Sequence, residues 1–358
     1  MPVWTESMQQ TFEYWKVDPI SWNDTVKLDT VTMSTIDWDL TSDTLSSASI
    51  DMNFVEGEFY VRIYMITIQN GITEKHPMGT FLIQTPSKTT DGKVKTVTVD
   101  AYSPLTELKE DKPPIGFYIP KGTNIMDEAY KLAREHMRAP VIRTSCDEVL
   151  HDDFVADPDD TWLDIIRDLI GNAKYELSLD EMGRVLFAPI QEVEALRPVI
   201  DYEDNDVSIV MPEFDIDLDL YAVPNTVEVT CSNGKQVFYH KAVNDDPNSL
   251  TSTVRRGRTI LYRETDPKLL GDPTDDRIKE YTIQKLKELS TIDQAISYEH
   301  AYVKVDDKPV RIGDGVSFHI TREADLYNIR GKVISQSINC VPGCPVSETA
   351  IYPVKLWR

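Results

Sequence analysis

The chain has 358 residues, enough for roughly two or three domains with a sizeable buried core. It is 41% apolar and 27% charged, with 15 Gly and 21 Pro, a composition that excludes a disordered chain. Its 60 acidic against 37 basic side chains give a formal charge of −23, which opposes a tight grip on a phosphate backbone because that needs clustered Lys and Arg.

No apolar run approaches the roughly 20 residues that cross a bilayer. The start, Met1-Pro2-Val3-Trp4-Thr5-Glu6, lacks a basic flank followed by an apolar stretch, so neither a membrane span nor a signal peptide is expected. Cys146, Cys231, Cys340 and Cys344 are too few for a disulfide scaffold, which fits synthesis in a reducing cytoplasm.

From Val26 to Val99 the pattern is strand-like. Phe59 to Ile66 alternates with period two, Asn70-Gly71 marks a tight turn, Gly79 to Ile83 follows, and Asp91-Gly92 marks a second turn before Val94 to Val99. Near Tyr102-Ser103-Pro104-Leu105 the character changes, and Lys112-Pro113-Pro114 breaks regular structure. Asn124 is placed to cap a helix through Ala129, Leu132, Ala133 and Met137 that stops at Pro140. Asp160-Thr161 caps a second over Trp162 to Ile170, with Gly171 placed to end it. Strands at Tyr175 to Leu179 and Arg184 to Phe187 follow, joined through Asp180-Glu181-Met182-Gly183.

Past Pro198 comes an acidic stretch: Asp201, Glu203, Asp204, Asp206, Glu213, Asp215, Asp217 and Asp219. Thr226 to Thr230 reads as a strand, Ser232-Asn233-Gly234-Lys235 as a turn, and Gln236 to Tyr239 as its return. A helix is expected from about Thr274 to Thr291. Asp275 and Asp276 sit at its positive end, and Ile278, Ile283, Leu286 and Leu289 form its apolar face. His300 to Val305, Val316 to Ile320 and Gly331 to Ser335 return to strand.

The chemistry-bearing residues do not assemble into a catalytic signature. The six histidines show no i, i+4 pair for zinc, and no G-x-S-x-G nucleophile elbow occurs. His151-Asp152-Asp153 is a possible cation corner but lacks the spacing of a calcium loop. Cys340 and Cys344, three residues apart, have no further ligands at zinc spacing and read as ordinary loop thiols. Gly313-Asp314-Gly315 reads as a turn between strands. No catalytic, metal or cofactor residue is therefore assigned. Two charged segments remain: Asp201, Glu203, Asp204, Asp206, Asp215, Asp217 and Asp219 as an acidic channel or interface segment, and Arg255, Arg256 and Arg258 as a basic patch facing a neighbouring subunit.

Several segments, in order, resemble the hub family of bacteriophage tail tips and baseplates. They are Gly79-Thr80-Phe81-Leu82-Ile83 with Thr90-Asp91-Gly92, Asp100-Ala101-Tyr102-Ser103-Pro104-Leu105, and Lys121-Gly122-Thr123-Asn124. Asp160 to Ile166, Leu179-Asp180-Glu181-Met182-Gly183-Arg184-Val185-Leu186-Phe187, Val223-Pro224-Asn225-Thr226-Val227-Glu228-Val229 and Ile312-Gly313-Asp314-Gly315-Val316 complete the set. The resemblance also reaches the hub region of phage tail-associated proteins.

The fold class it implies is α+β and mainly β, with two β-barrel-like ring domains, an α+β domain between them and a helical insertion. On this sequence that places a first hub domain at 1–110, a peripheral α+β domain at 111–197, and a second hub domain at 198–358 with its helix at about 272–292. It further implies a non-enzymatic homotrimer in the virion tail tip, assembled in the host cytoplasm. Its partners would be a tail tube or distal tail protein above and a spike, fibre or tail-tip protein below. A tape measure protein would lie nearby, and DNA would be only passing cargo. Because the second β segment runs to Arg358, a lysin or receptor-binding extension is expected from another protein. The many carboxylates also suit a cell-wall or polysaccharide hydrolase of the tail tip, and the 6 Trp and 16 Tyr a carbohydrate-binding β module.

Overall fold

The computed structural model describes residues 2–53, 57–91, 94–205, 208–267, 273–322 and 326–357. Contacts divide the chain into unit 1, Met1–Phe214 with Tyr298–Ala350, and unit 2, Asp215–Ser297 with Ile351–Arg358. Strands dominate both, so the protein is mainly β.

Unit 1 begins with seven strands: β1 (Gln9–Val17), β2 (Asp24–Lys27), β3 (Val31–Asp39), β4 (Ser46–Met52), β5 (Phe59–Gln69), β6 (Ile72–Asp91) and β7 (Val94–Tyr102). They form an antiparallel run in the order β3-β4-β7-β6-β5-β1-β2. The expected turn at Asn70-Gly71 joins β5 to β6. Both residues have positive φ, 51° and 77°, as a two-residue hairpin matched to strand twist requires. The second expected turn, at Asp91-Gly92, lies partly outside the described residues.

Next come α1 (Thr106–Glu110), β8 (Tyr118–Ile119), α2 (Ile125–His136), β9 (Phe154–Val155), α3 (Trp162–Asn172) and the hairpin of β10 (Tyr175–Leu179) and β11 (Val185–Pro189). Asn124 caps α2, its side chain accepting from the Asp127 amide at 2.9 Å. Thr161 and Asp164 close a reciprocal capping box on α3, so local sequence fixes both helix starts. Gly171 lies inside the last turn, and α3 continues one residue past it. The indole of Trp162 stacks on His136 at 3.9 Å between ring centroids and meets Phe117 edge-on at 4.9 Å. The helix itself lies against α2 and β10. One apolar core runs from Ile36, Ile50, Phe81 and Val99 in the strands to Leu132, Ile165 and Leu169 in the helices.

The acidic stretch contains two strands that its charge concealed, β12 (Pro198–Glu203) and β13 (Val210–Asp217). Unit 2 then builds β14 (Thr226–Ser232), β15 (Val237–Val243), the short helix α4 (Thr253–Arg256), β16 (Leu261–Thr265) and α5 (Asp275–Leu289). The three strands lie in the order β15-β14-β16, with β16 parallel to β14. Helix α5 covers one face, burying Ile278 and Leu286 against Val227, Val229 and Phe238.

The remaining strands are β17 (Thr291–Ala301), β18 (Lys304–Val305), β19 (Lys308–Pro309), β20 (Gly315–His319), β21 (Tyr327–Asn339) and β22 (Pro345–Lys355). The strand expected over His300 to Val305 is thus the end of β17 followed by a small separate ribbon. Strand β21 pairs with β3, from Ser335 opposite Asp39 to Asn339 opposite Thr35. Within unit 1 the late strands therefore extend the first sheet rather than form one of their own. No sheet among the described residues closes on itself.

Candidate functional site

The acidic segment divides into carboxylates that brace the chain and carboxylates left open. Asp201 accepts from the Ser317 hydroxyl on the neighbouring parallel strand. Asp204 accepts from the backbone amides of Thr321 at 3.0 Å and Arg322 at 3.2 Å, which holds its carboxyl below the usual range. Glu203 is exposed and accepts from Asn205, while Asp206 lies outside the described residues. Along β13 the side chains alternate, so Glu213, Asp215 and Asp217 point outward from one face roughly 7 Å apart. Asp219 follows in the same phase and accepts from the Tyr221 amide. The Asp215 and Asp217 carboxylates have no ion-pair or hydrogen-bond partner among the described residues.

The three arginines likewise have unequal roles. Arg256 donates to the carbonyls of Leu220 at 2.7 Å and Val223 at 2.8 Å, stapling the loop that enters β14. Arg255 and Arg258 are exposed and direct their guanidinium groups to no described partner. Buried Asn225 holds their loop: its Nδ2 donates to the carbonyls of Arg258 at 3.0 Å and Thr251 at 3.2 Å, and its Oδ1 accepts from the Ile260 amide. The Val223-Pro224-Asn225-Thr226 motif is therefore a loop organiser.

Asp180-Glu181-Met182-Gly183 also has a scaffold role, one its sequence did not disclose. Arg62, only 1% exposed, donates to Thr80 Oγ1 at 2.9 Å, Asp24 Oδ1 at 2.8 Å and the carbonyls of Trp22 and Met182. The Trp22 indole donates to the same Met182 carbonyl at 2.7 Å, and Thr80 Oγ1 to that of Glu181 at 3.2 Å. Arg311 forks onto Glu181 with two 2.7 Å bonds. One turn thus ties the first sheet to the late strands. Gly183 allows it, having φ +72° and a site where a Cβ would lie 2.8 Å from Thr80 Cβ.

A second buried cluster centres on Glu348, whose side chain is fully buried. It accepts from Tyr298 Oη, from Gln336 Nε2 at 2.6 Å and, more loosely, from Tyr202 Oη at 3.5 Å, with His300 Nε2 at 3.3 Å. The Nδ1 of His300 faces the Ala301 carbonyl at 2.9 Å. Burial first, and the Glu348 charge second, push both phenols well above their ordinary range. This ring of donors is closed in, a setting that satisfies a buried carboxylate rather than one that presents it to a substrate.

Unit 1 contains several cavities. One beside Tyr302, Arg311 and Gln336 has about 20 Å3, room for roughly one water. Two wider grooves of about 240 and 310 Å3 share Leu40, Leu45, Glu176 and Leu177, and their Glu176 is paired with Lys332 at 3.6 Å. No group of three or more His, Cys, Asp or Glu able to hold a metal occurs among the described residues, and Asp153, in the His151 corner, accepts from the Lys121 amide. Cys340 and Cys344 are buried free thiols; burial pushes the former up to about 12. No described helix is long and apolar enough to cross a membrane.

No protein-family model matches the chain, and no curated protein matches it in sequence. Solved structures do match, over nearly the full length. The tail protein from Neisseria meningitidis aligns with a TM-score of 0.65 at 11% identity, covering 96% of each chain. A prophage tail protein from Shewanella oneidensis aligns at 0.63 and 10% identity, covering 97% of this chain and 98% of that one. A chain of the Francisella PdpA-VgrG complex aligns at 0.58 and 8% identity, over 97% of this chain but 58% of that one. The chain thus has the fold of phage tail proteins, as the ordered motifs of its sequence implied.

Proposed function

We propose that the protein is a structural hub subunit of a phage tail tip or baseplate, or of a related tail-like particle. Three copies form a ring that joins a sixfold tail tube to a threefold spike or fibre and surrounds the path of DNA. The observation that carries this reading is the end-to-end likeness to two tail proteins, which leaves almost none of either chain unmatched. The motif residues add support, since Asn225, Asp180 to Gly183 and the Thr161 cap all hold the scaffold together rather than face a cleft.

In this reading the two β segments, 1–110 and 198–358, supply the barrel-like lining of the ring, and 111–197 packs on its outside. The role is mechanical, without catalysis. A wall rich in carboxylates lets DNA pass because phosphate finds no Lys or Arg to hold it. Tube or distal tail protein above, spike or fibre below and a tape measure protein are its partners, in a virion tail tip assembled in the host cytoplasm.

Native mass spectrometry and negative-stain imaging of the purified chain, alone and with its tube protein, test the reading. The expected result is a three-copy ring that caps the tube. A chain that stays monomeric at every concentration, with and without the tube protein, overturns it.

A further inference from the structure

Two stretches of this acidic chain have opposite characters. Residues 201–219 hold eight carboxylates and no basic side chain, whereas 241–263 hold five basic side chains, Lys241, Arg255, Arg256, Arg258 and Arg263, against Asp245 and Asp246. In a chain of net charge −23 the second is a local island of positive charge. It coincides with the face of the unit 2 sheet turned away from α5. Helix α5 lies on one side of β14, and the register places the other side in rows: Val243, Thr226 and Leu261, then Lys241, Glu228 and Arg263.

Glu228 neutralises one charge of its row, pairing with Arg263 at 2.9 Å and Lys241 at 3.5 Å. Apolar surface flanks the rows: Val237 is 63% exposed and Tyr239 58%. The helix α4 loop lies at the end of this face, because Thr253 donates to the Asn244 carbonyl and Asn225 to that of Arg258. There the Arg255 and Arg258 guanidinium groups stand exposed with no partner among the described residues, beside Val254 at 62%.

We propose that this face is an interface between copies of the chain, its occupant being the Asp215 and Asp217 edge of a second copy. Charge complementarity is the argument. Asp215 and Asp217 are outward, spaced along one strand face and unpaired among the described residues, and so are the Arg255 and Arg258 guanidinium groups, so each set lacks what the other has. Val254 and Tyr239 supply apolar area at the contact, where burial gives affinity that rim charges alone do not. Acids and arginines are different parts of the surface, so the contact can repeat head to tail and make a ring where the rotation closes, whereas the same contact made reciprocally gives a two-copy assembly. The inference rests on the ring reading above only in that both require self-association.

Sedimentation equilibrium of the full chain, with folding checked by circular dichroism, provides the test. Arg255→Glu with Arg258→Glu, and separately Asp215→Lys with Asp217→Lys, should each weaken self-association by about tenfold or more. All four substitutions together should restore it. A second measurement avoids charge reversal altogether: in the Arg255→Lys, Arg258→Lys chain, carbodiimide should link positions 255 and 258 to Asp215 or Asp217 of another copy. Assembly that ignores both reversals and gives no such link overturns the contact while leaving the ring intact. A two-copy assembly that obeys the charge swap upholds the contact and sinks the ring. A chain that is always monomeric overturns both. Retention of duplex DNA that the arginine reversal abolishes, with self-association unmoved, gives the face to nucleic acid and also overturns the proposal.

Discussion

The two units solve the same problem, burying a sheet in a chain of high negative charge, by different means. Unit 1 places ionic groups inside: Arg62 and Glu348 are buried, each ringed by donors or acceptors, and a single turn at Met182 gathers three segments. Unit 2 sets an ion-pair cluster, around Glu228, on the face of a three-stranded sheet turned away from α5, and relies on that one helix to cover the other face. Buried polar networks specify one arrangement and fail when any member is lost, whereas exposed pairs contribute little and are free to meet a partner. The first unit is therefore built for rigidity, and the second leaves exposed charge for the contact proposed above.

Alkaline pH should widen this difference more than any substitution. Burial pushes the phenols of Tyr14, Tyr60, Tyr202, Tyr298 and Tyr302 upward, and the thiols of Cys340 and Cys344 with them, all in unit 1. In unit 2 Tyr281 is pushed up to about 12 by burial and its bond to Glu264. A group with a raised native pKa stays neutral in the fold, so its stabilisation is complete below the unfolded value, about 8.5 for Cys and 10 for Tyr, and declines as pH rises past it. Each such group adds a slope of about 1.4 kcal/mol per pH unit over that window. Urea midpoints between pH 8 and 11, read by fluorotryptophan NMR at Trp162 for unit 1 and Trp357 for unit 2, should fall much more steeply in unit 1. Equal slopes would mean that the units do not differ in this way.

Substitution inside unit 1 comes next in size. Trp162 is 3% exposed and fills the space between His136 and Phe117, so Trp162→Ala should cost about 3–5 kcal/mol in denaturant unfolding. Gly183→Ala should cost about 2–4 kcal/mol, because a Cβ meets Thr80 and a non-glycine residue is strained at φ +72°. Gly71→Ala is the control. It has positive φ but open space around it, so the strain alone should appear, about 1–2 kcal/mol. Equal losses at 183 and 71 would show that the Met182 turn is not tightly clasped.

These cases mark how far the sequence could be read. Caps and turns are local, so Asn124, Thr161 and Asn70-Gly71 announced the elements they start or join. The order of such signals was enough to imply a tail-protein fold. What stayed hidden depends on distant partners. Strands β12 and β13 alternate charge with apolar residues, and the density of acids hid that alternation in what read only as an acidic stretch. The pairing of β3 with β21 joins residues some 300 positions apart, which no periodicity reveals. Nothing local marks Arg62 or Glu348 as buried; Thr80 and Met182 around the one, and Gln336 and Tyr298 around the other, come from distant parts of the chain.

The smallest expected effect separates two neighbours that look alike in sequence. Arg255 and Arg256 are adjacent in the basic run, yet only Arg256 is committed within the fold, donating to the carbonyls of Leu220 and Val223. Those bonds hold the loop entering β14 and satisfy backbone acceptors that would otherwise be half-buried without a donor. Burial and the nearby Arg258 lower the Arg256 pKa, as expected of a guanidinium kept for its geometry. Arg256→Met, which keeps the aliphatic stem and removes the donors, should therefore lower unit 2 stability by about 1–3 kcal/mol. Arg255→Met should stay within about 0.5 kcal/mol, since no described residue of its own copy pairs with its charge. The two should exchange rank when self-association is measured, at protein concentrations where copies meet: there Arg255→Met weakens assembly at unchanged stability. If Arg255→Met lowers monomer stability as much as Arg256→Met, the charge is used within the chain and unit 2 is less open than its exposed residues indicate.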